Sequence, residues 1–439
     1  MTTLKTGDTV KMKGGGFAKV LAEFGSGGQG AVYKASYNGK EYALKWYHPG
    51  AFHGKEDAFY ANLEYNIAKG APADAFLWPL AITEKLNGSF GYLMAIRPDG
   101  YEELTNFFVS SQKKQQVHFK SFSAITTAAI NMINALWQLH KRGDSYRDIN
   151  NGTFFIDPVT GRVLICDNVN VSPYGSNPGI MGKSRWMAPE IVTRQSEPDK
   201  QSDQFSLAVV LFRLLFLHHP LEGSYSSPPC MTREKEIQYY GTDPVFIFDP
   251  ADPRNRPVPG TDHNLKLFWG LYPEYVRQTF CRAFSREVML RKEPRVSEQE
   301  WLDVFFRLRA ETGLCPHCHR EMFYTAGGAS RCFECGGSVA KTAGLAFAAC
   351  TLPLHSGMKL YLRNVDSGTE DIESLVAEVV ASRKDPGGPG LRNLSASPWM
   401  ITLPGGARRP LEPGKAVPVR NGYVIDFMNA EHTLATMEL

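Results

Sequence analysis

The chain has 439 residues, 43% of them hydrophobic and 21% charged, which is enough apolar content for about two to four folding units with cores of their own. Its 48 basic and 45 acidic side chains leave a net charge of +3, without the basic excess that nucleic-acid binding demands. The opening MTTLKTGDTVKMKGGG has no apolar core or cleavage site, and the longest apolar runs, Leu207–Leu217 and Ala343–Leu354, fall short of the ~20 residues that cross a bilayer. These features predict a cytoplasmic protein with no nucleic-acid and no membrane partner.

Residues 18–47 alternate apolar and polar side chains around GSGGQG and an Asn38-Gly39 turn, the pattern of three strands joined by hairpins. Residues 56–69 read as an amphipathic helix ended by Gly70 and Pro72, and 120–141 as a long helix carrying Ile125, Ala129, Ile133, Leu136, Trp137 and His140 at helical spacing. A further helix spans 202–217, with Ser202 and Asp203 as capping residues. Residues 222–265, rich in Pro, Ser, Asp and Gly, predict a long surface excursion. Helical patterns return at 270–284 and 297–311. Beyond Gly313 a cysteine cluster precedes a tail of short strand-like runs punctuated by Gly and Pro.

Gly25, Gly27 and Gly30, with Gly28 between them and Val32 just beyond, form a GxGxxG turn whose backbone N–H groups suit phosphate oxygens; an ordinary glycine-rich hairpin is the alternative. Lys45 stands inside an otherwise apolar strand, where an ammonium needs an anionic partner, either phosphate or a helix carboxylate. Glu64 on the next helix is such a carboxylate, unless it lies on a solvated face. Asp148 follows Tyr146-Arg147 after the long helix, and Asp167 ends the strand Val163–Cys166. Two aspartates in loops flanking strands can converge, one orienting a hydroxyl nucleophile and the other holding Mg²⁺. Glu190 in Met187-Ala188-Pro189-Glu190 and Arg295 can form an internal ion pair.

This order of landmarks (glycine-rich loop, strand lysine, helix glutamate, YRD, ICD, APE, SDxFS, late arginine) is similar to the Ser/Thr protein kinase family across about two-thirds of the chain. The resemblance implies an α+β, bilobal protein-kinase-like fold at 15–310, with an N-lobe at about 15–97 and a C-lobe at about 98–310. It implies ATP and Mg²⁺ (or Mn²⁺) as cofactors and a protein substrate. Gly25, Gly27, Gly28, Gly30 and Val32 would cover the nucleotide, Lys45 paired with Glu64 would reach its phosphates, Met94 would lie behind the adenine, and Ile96 would belong to the hinge. Asp148 resembles the catalytic-loop aspartate and Asp167 the magnesium aspartate.

The sequence departs from that pattern at three places. Thr153 stands where the family has a magnesium-binding asparagine, which weakens a second metal site. The DFG motif reads Asp167-Asn168-Val169, without the apolar anchor and the flexible glycine. Asn150 replaces the catalytic-loop lysine while Lys183 occupies a threonine position in the activation segment, so Lys183 is expected to return the missing charge to the catalytic site. The alternative to an active Ser/Thr kinase is a nucleotide-binding pseudokinase scaffold; a small-molecule kinase is disfavoured by the intact APE motif. Arg147 is a candidate clamp for a phosphate added to Ser172, Ser176 or Ser184; the alternative is that it simply packs against its loop.

Cys315-x2-Cys318 and Cys332-x2-Cys335 form two knuckles that suit one closed, structural Zn²⁺ site over 313–340, similar to a zinc ribbon. At 356–439 the strand spacing predicts a small β-sandwich-like unit. Leu391-Arg392-Asn393-Leu394-Ser395, Trp399 and the glycines after it are similar to the second half of a forkhead-associated (FHA) domain, in which loop Ser and Arg side chains read phosphothreonine. The first-half signature is missing, so a degenerate fold used for protein contact is expected, with phosphopeptide binding as the alternative. The combination resembles bacterial kinases that accompany a von Willebrand A protein and a metal-dependent phosphatase in stress systems, which implies those two as partners.

Overall fold

A computed structural model describes residues 3–108, 116–176, 179, 182–381 and 388–439. Its N-terminal part is an antiparallel six-stranded sheet: β1 (Thr9–Lys11), β2 (Phe17–Ser26), β3 (Gly30–Tyr37), β4 (Lys40–Tyr47), β5 (Ala81–Ile82) and β6 (Gly91–Met94), in the order β1-β2-β3-β4-β6-β5. Side chains alternate across a strand, so the sheet has two different faces. Val20, Ala31, Tyr33, Leu44 and Trp46 pack on one face. Ala43, Tyr47, Tyr92 and Met94 lie on the other, against Phe59 and Leu63 of helix α1 (Glu56–Lys69). Lys45 falls between Ala43 and Tyr47 on this second face by the period of two, which aims its ammonium into the space beneath the sheet. β1 joins the sheet upstream of the expected start at residue 15.

The helical part is centred on α2 (Phe122–Lys141) and α3 (Lys200–Phe216), both buried on most sides, with α4 (Glu298–Glu311) packed on α2. Ser121 caps α2 by accepting from the Ala124 N–H. The cap of α3 is Asp199, not Ser202; Ser202 returns the reciprocal bond of a capping box. The pattern at 270–284 is two helices, His263–Leu271 and Glu274–Ala283, because Pro273 cannot continue the first.

The stretch 222–265 is not a surface excursion throughout. Tyr239, Tyr240, Val245, Phe246 and Ile247 are buried in the main core, and Phe246 stacks on Phe284 at 5.2 Å. Short apolar runs anchor the loop even though its overall composition is that of a turn.

Two small hairpins follow α4, pairing Thr312–Leu314 with Glu321–Phe323 and Ser330–Arg331 with Ser338–Val339. The remaining strands make a six-stranded and a four-stranded antiparallel sheet that share one core, including Leu345, Leu360, Val379, Leu391, Trp399, Ile425 and Met437. Gly344–Ala346 and Thr351–Pro353 belong to this unit, ahead of the expected boundary at 356, because Gly344–Ala346 pairs with the last strand, Leu434–Glu438. The Arg309 guanidinium of α4 lies 4.2 Å from the Phe306 ring and 3.4 Å from the Tyr361 ring, joining the helical part to the C-terminal strands.

Candidate functional site

The site lies between the sheet and the helical part, and a continuous chain of contacts runs through it. The Lys45 ammonium is ion-paired with Asp167. Asn170, on the short turn that follows Asp167, approaches Asp148 Oδ2 with its amide nitrogen at 3.4 Å. The Asn150 amide donates to Asp148 Oδ1 at 3.0 Å, and the Lys183 ammonium donates to Asn150 Oδ1 at 2.8 Å. Lys45, Asp167, Asp148 and Lys183 therefore share one locus, although Lys45 and Lys183 are far apart in sequence.

Local geometry explains each placement. Asp167 adopts a left-handed backbone, φ 59° and ψ 34°, at the end of Val163–Ile165, which turns its carboxylate off the strand. Asp148 follows Arg147, at φ 75°. The backbone N–H groups of Tyr146 and Arg147 both donate to the buried Asp203 carboxylate of α3, at 2.6 and 2.8 Å, and fix the loop from behind. Burial pushes the Asp148 carboxyl up to about 6, opposed by the Asn150 hydrogen bond and the Lys183 charge. Burial acts to lower the Lys45 ammonium, but the Asp167 carboxylate outweighs it and the net shift is upward.

Glu64 does not pair with Lys45. Its carboxylate is taken by Lys13 from the β1–β2 turn. The reason is the azimuth of the helix: Asn62 and Asn66 lie four residues apart on one face of α1, and Glu64, two residues on from Asn62, projects from the other side. The Asn62 amide donates to the Val169 and Val171 carbonyls at 2.9 and 2.7 Å, and the Asn66 amide to those of Asn168 and Val171 at 3.1 and 2.9 Å. Nothing in the order of kinase landmarks marks these two asparagines; their i, i+4 spacing on a helix is the signal that could have found them.

The apolar anchor missing from Asp167-Asn168-Val169 is moved by one position. Val169 is 3% exposed and packs with Phe59, Leu63 and Leu77, while Asn168 is buried with its amide on the Leu77 and Ile165 carbonyls. Thr153 is also reassigned. It is 2% exposed, its hydroxyl donates to the Asp148 carbonyl at 3.1 Å, and it accepts from the Asn150 N–H at 3.1 Å, so it ties the loop together and is not presented as a metal ligand. Arg147 is no open phosphate clamp: its guanidinium donates to the Pro198 and Pro173 carbonyls, each at 2.7 Å. Ser172 is fully buried, and the Ser184 hydroxyl donates to Glu236 at 2.6 Å.

Gly25, Gly27 and Gly28 lie in the β2–β3 hairpin, where a Cβ would meet at most distant neighbours. Gly30 has a packing role, since a Cβ there would stand 2.2 Å from the Trp46 carbonyl of β4. Val32, Met94 and Ile96, which the sequence assigns to the nucleotide base or the hinge, belong to or pack against one apolar cluster at the inner face of the sheet, together with Ala43 and Leu164. The Arg97 guanidinium lies 3.9 Å from the Phe155 ring, a contact the sequence did not suggest. Glu190 and Arg295 form a buried two-pronged pair at 2.9 and 2.7 Å.

A separate cluster brings the Sγ atoms of Cys315, Cys318, Cys332 and Cys335 within 4.8 Å of one another. The Cys315–Cys335 and Cys318–Cys332 separations are 3.8 and 3.7 Å, and bond lengths of about 2.3 Å around a tetrahedral ion give edges of that size. The N–H groups of His317 and Gly337 each point at a cysteine sulfur at 3.4 Å, and neither His317 nor His319 belongs to the cluster.

A bilobal arrangement of sheet over helices, with a strand lysine and two loop aspartates in the cleft, defines the class as protein-kinase-like. Residues 18–255, more than half of the chain, match the family model for the protein kinase domain, and the chain belongs to that family. It is similar to protein kinase YegI of Escherichia coli K12, 27% identical over 329 residues, covering 71% of this chain and 48% of that protein. It is also similar to probable serine/threonine-protein kinase kinX of Dictyostelium discoideum, 24% identical over 254 residues, covering 54% of this chain and 22% of the relative. A third relative, serine/threonine-protein kinase sck2 of Schizosaccharomyces pombe, is 31% identical over 87 residues, 19% of this chain and 13% of its own. The chain thus spans about half the length of YegI and less of the others. Among the described residues no helix is long and apolar enough to cross a membrane.

Proposed function

We propose that this chain is a Ser/Thr protein kinase that transfers the γ-phosphate of ATP to a protein hydroxyl. The observation that carries this reading is the contact chain Lys45–Asp167–Asn170–Asp148–Asn150–Lys183, which puts two cations and two carboxylates in one cleft. Asp148 orients the acceptor hydroxyl and takes its proton; with a carboxyl near 6 it is mainly ionised at neutral pH. Lys45 holds the nucleotide phosphates. Asp167, with a half-exposed carboxylate already facing a cation, is an oxygen donor of the type magnesium takes. Bound there, magnesium would neutralise charge on the transferring phosphates. Thr153, turned into its loop, favours the competing reading of a nucleotide-binding scaffold. Incubation with labelled ATP and Mg²⁺ or Mn²⁺, followed by mass-spectrometric mapping of phosphoserine and phosphothreonine, decides between them. Absence of transfer under both metals would leave the scaffold.

Lys183 acts in this reading as the replacement for the catalytic-loop cation. Lys183→Ala is expected to lower phosphoryl transfer by roughly 10²-fold. It is also expected to move the acid limb of the pH–rate profile upward, because the Lys183 charge opposes the rise of the Asp148 carboxyl. An unchanged rate and an unmoved limb would remove Lys183 from the mechanism.

The four cysteines are assigned to a structural zinc ion. Its hairpins reach the helical part through Glu321, which accepts from the N–H groups of Phe122 and Ser123 at the start of α2, and through Phe122, whose ring lies 5.5 Å from Phe323 and 5.4 Å from Phe333. Stripping the metal with a strong chelator is expected to release one zinc per chain and to lower the melting temperature of the helical part as well as the ribbon. Elemental analysis and thermal unfolding measure both.

The C-terminal strands are assigned to protein contact and not to reading phosphothreonine. Arg392 is paired with Glu378 at 2.8 Å, buried Asn393 bonds the Ser397 and Leu411 carbonyls, and the Ser395 hydroxyl accepts from Trp399 at 3.0 Å. The residues that resemble a phosphate reader hold the unit itself together.

A further inference from the structure

Arg213 interrupts the most apolar helix of the molecule. Its neighbours on α3, from Val209 to Phe212 and from Leu214 to Phe216, are all buried, and Arg213 itself is partly so. A guanidinium withdrawn from water needs a counter-charge or a set of acceptors, because the solvation it loses must be replaced. Its surroundings do not provide them. The guanidinium carbon lies 4.4 Å from the Phe108 ring and 4.9 Å from the Trp186 ring, and Nε is buried without a hydrogen-bond partner. Burial lowers its pKa, offset in part by the charge of Glu222. Glu222 is itself committed, accepting from Arg185 at 3.1 Å and from the Tyr240 hydroxyl at 3.0 Å. Among the described residues no carboxylate lies within ion-pair distance of Arg213.

Aromatic rings take up the faces of a guanidinium and leave its edge, where the N–H donors are arranged as a fork that fits a carboxylate or a phosphate. The location gives that fork a use. Trp186, which stacks on Arg213, also lines a small depression with Asp148, Gly182, Lys183 and Met187. Arg213 is thus one side chain away from the depression that holds Asp148. Around Trp186 the Lys183 ammonium is held by Asn150, Arg185 by Glu222, and Glu236 by Ser184, while the Asp148 carboxylate accepts from Asn150. The donor edge of Arg213 is the one left to an incoming anion.

We propose that Arg213 is a specificity-determining residue that binds an anionic side chain, a carboxylate or a phosphate, of the substrate segment flanking the acceptor hydroxyl. This deepens the kinase reading above and rests on its placement of the acceptor beside Asp148. Phe108 and Trp186 pre-order the guanidinium so that little rotamer freedom is lost on binding.

The test uses the full chain and three sets of fluorescent serine peptides that differ only in flanking residues: Asp/Glu, phosphoserine, or Ala/Gln. Binding is read by anisotropy and phosphorylation by label transfer, so that the two readings can fail separately. The anionic sets are expected to bind about ten-fold or more tightly than the neutral set. Arg213→Met, which keeps a long apolar stem between the two rings, should erase that difference, and Arg213→Lys should restore part of it. Comparison of the acidic with the phosphorylated set identifies the source of the anion. Equal binding of all three sets, or an anion preference that survives in a folded Arg213→Met chain, overturns the proposal. Anion-dependent binding lost in Arg213→Met but without label transfer supports the Arg213 subsite and removes the catalytic reading instead.

Discussion

Replacing Asp148 by asparagine is expected to cut phosphoryl transfer by about 10²–10⁴-fold and to leave nucleotide affinity unchanged. The substitution is close to isosteric, and an asparagine carbonyl can still accept the bond that Asn150 donates to Oδ1. The loop should also stay in place, because it is held by Asp203 through the Tyr146 and Arg147 N–H groups. What disappears is a basic oxygen, and Asp167 and Lys45 remain paired on the other side of the cleft. In the wild type the same group sets the pH profile: with the Asp148 carboxyl at about 6, transfer should rise with pH and level off above that value. Single-turnover transfer and nucleotide titration of the two proteins make the comparison. Equal rates would mean that the acceptor is activated elsewhere; a loss of nucleotide binding would mean that the substitution disturbs the cleft and not the chemistry.

His140→Leu is expected to destabilise the helical part by about 3–5 kcal/mol, the cost of removing one partner from a buried charge network. His140 of α2 lies between two buried carboxylates, with Nδ1 2.5 Å from Glu298 on α4 and Nε2 3.1 Å from Asp203 on α3. Burial favours the neutral ring, but the hydrogen bonds to Asp203 and Glu298 outweigh it and push the imidazole up to about 9. The charged ring therefore joins three helices, and leucine would leave two carboxylates facing each other in the core. A folded-state value above the unfolded 6.5 means that this stabilisation is complete below about pH 6.5 and is lost as pH climbs through about 9. Glu298 behaves in the opposite sense. Burial would raise it, yet His140 holds it below its ordinary value, so its contribution is present above about 4.5 and fades as pH falls. Thermal unfolding across this range should show a plateau between the two limbs, and the alkaline limb should be absent in His140→Leu.

The sequence made the strand lysine, the two loop aspartates and the cysteine knuckles readable because each combines a particular residue type with a local pattern. An ammonium in an apolar strand or a pair of Cys-x2-Cys turns restricts the possible chemistry before any tertiary contact is known. Glu64 shows where such reading ends. Its place in the order of landmarks suggested Lys45, but its direction depends on how α1 is rotated, and that is set by Asn62 and Asn66 bonding a segment about 100 residues away. The sequence leaves Thr153 and Arg147 open for a related reason: a polar side chain near a site can face the ligand or brace the loop, and composition does not distinguish the two. The stretch 222–265 hid its buried core residues because Tyr239-Tyr240 and Val245–Ile247 are too short to show a period.

The asparagine contacts of α1 also limit how this cleft can move. Two side chains make four hydrogen bonds to the backbone that directly follows Asp167, and Val169 is wedged into the same helix face. A displacement of α1 must therefore either carry the Asp167 turn along with it or break all four bonds together. Helix position and carboxylate position behave as one mechanical coordinate, coupled through the two side-chain amides.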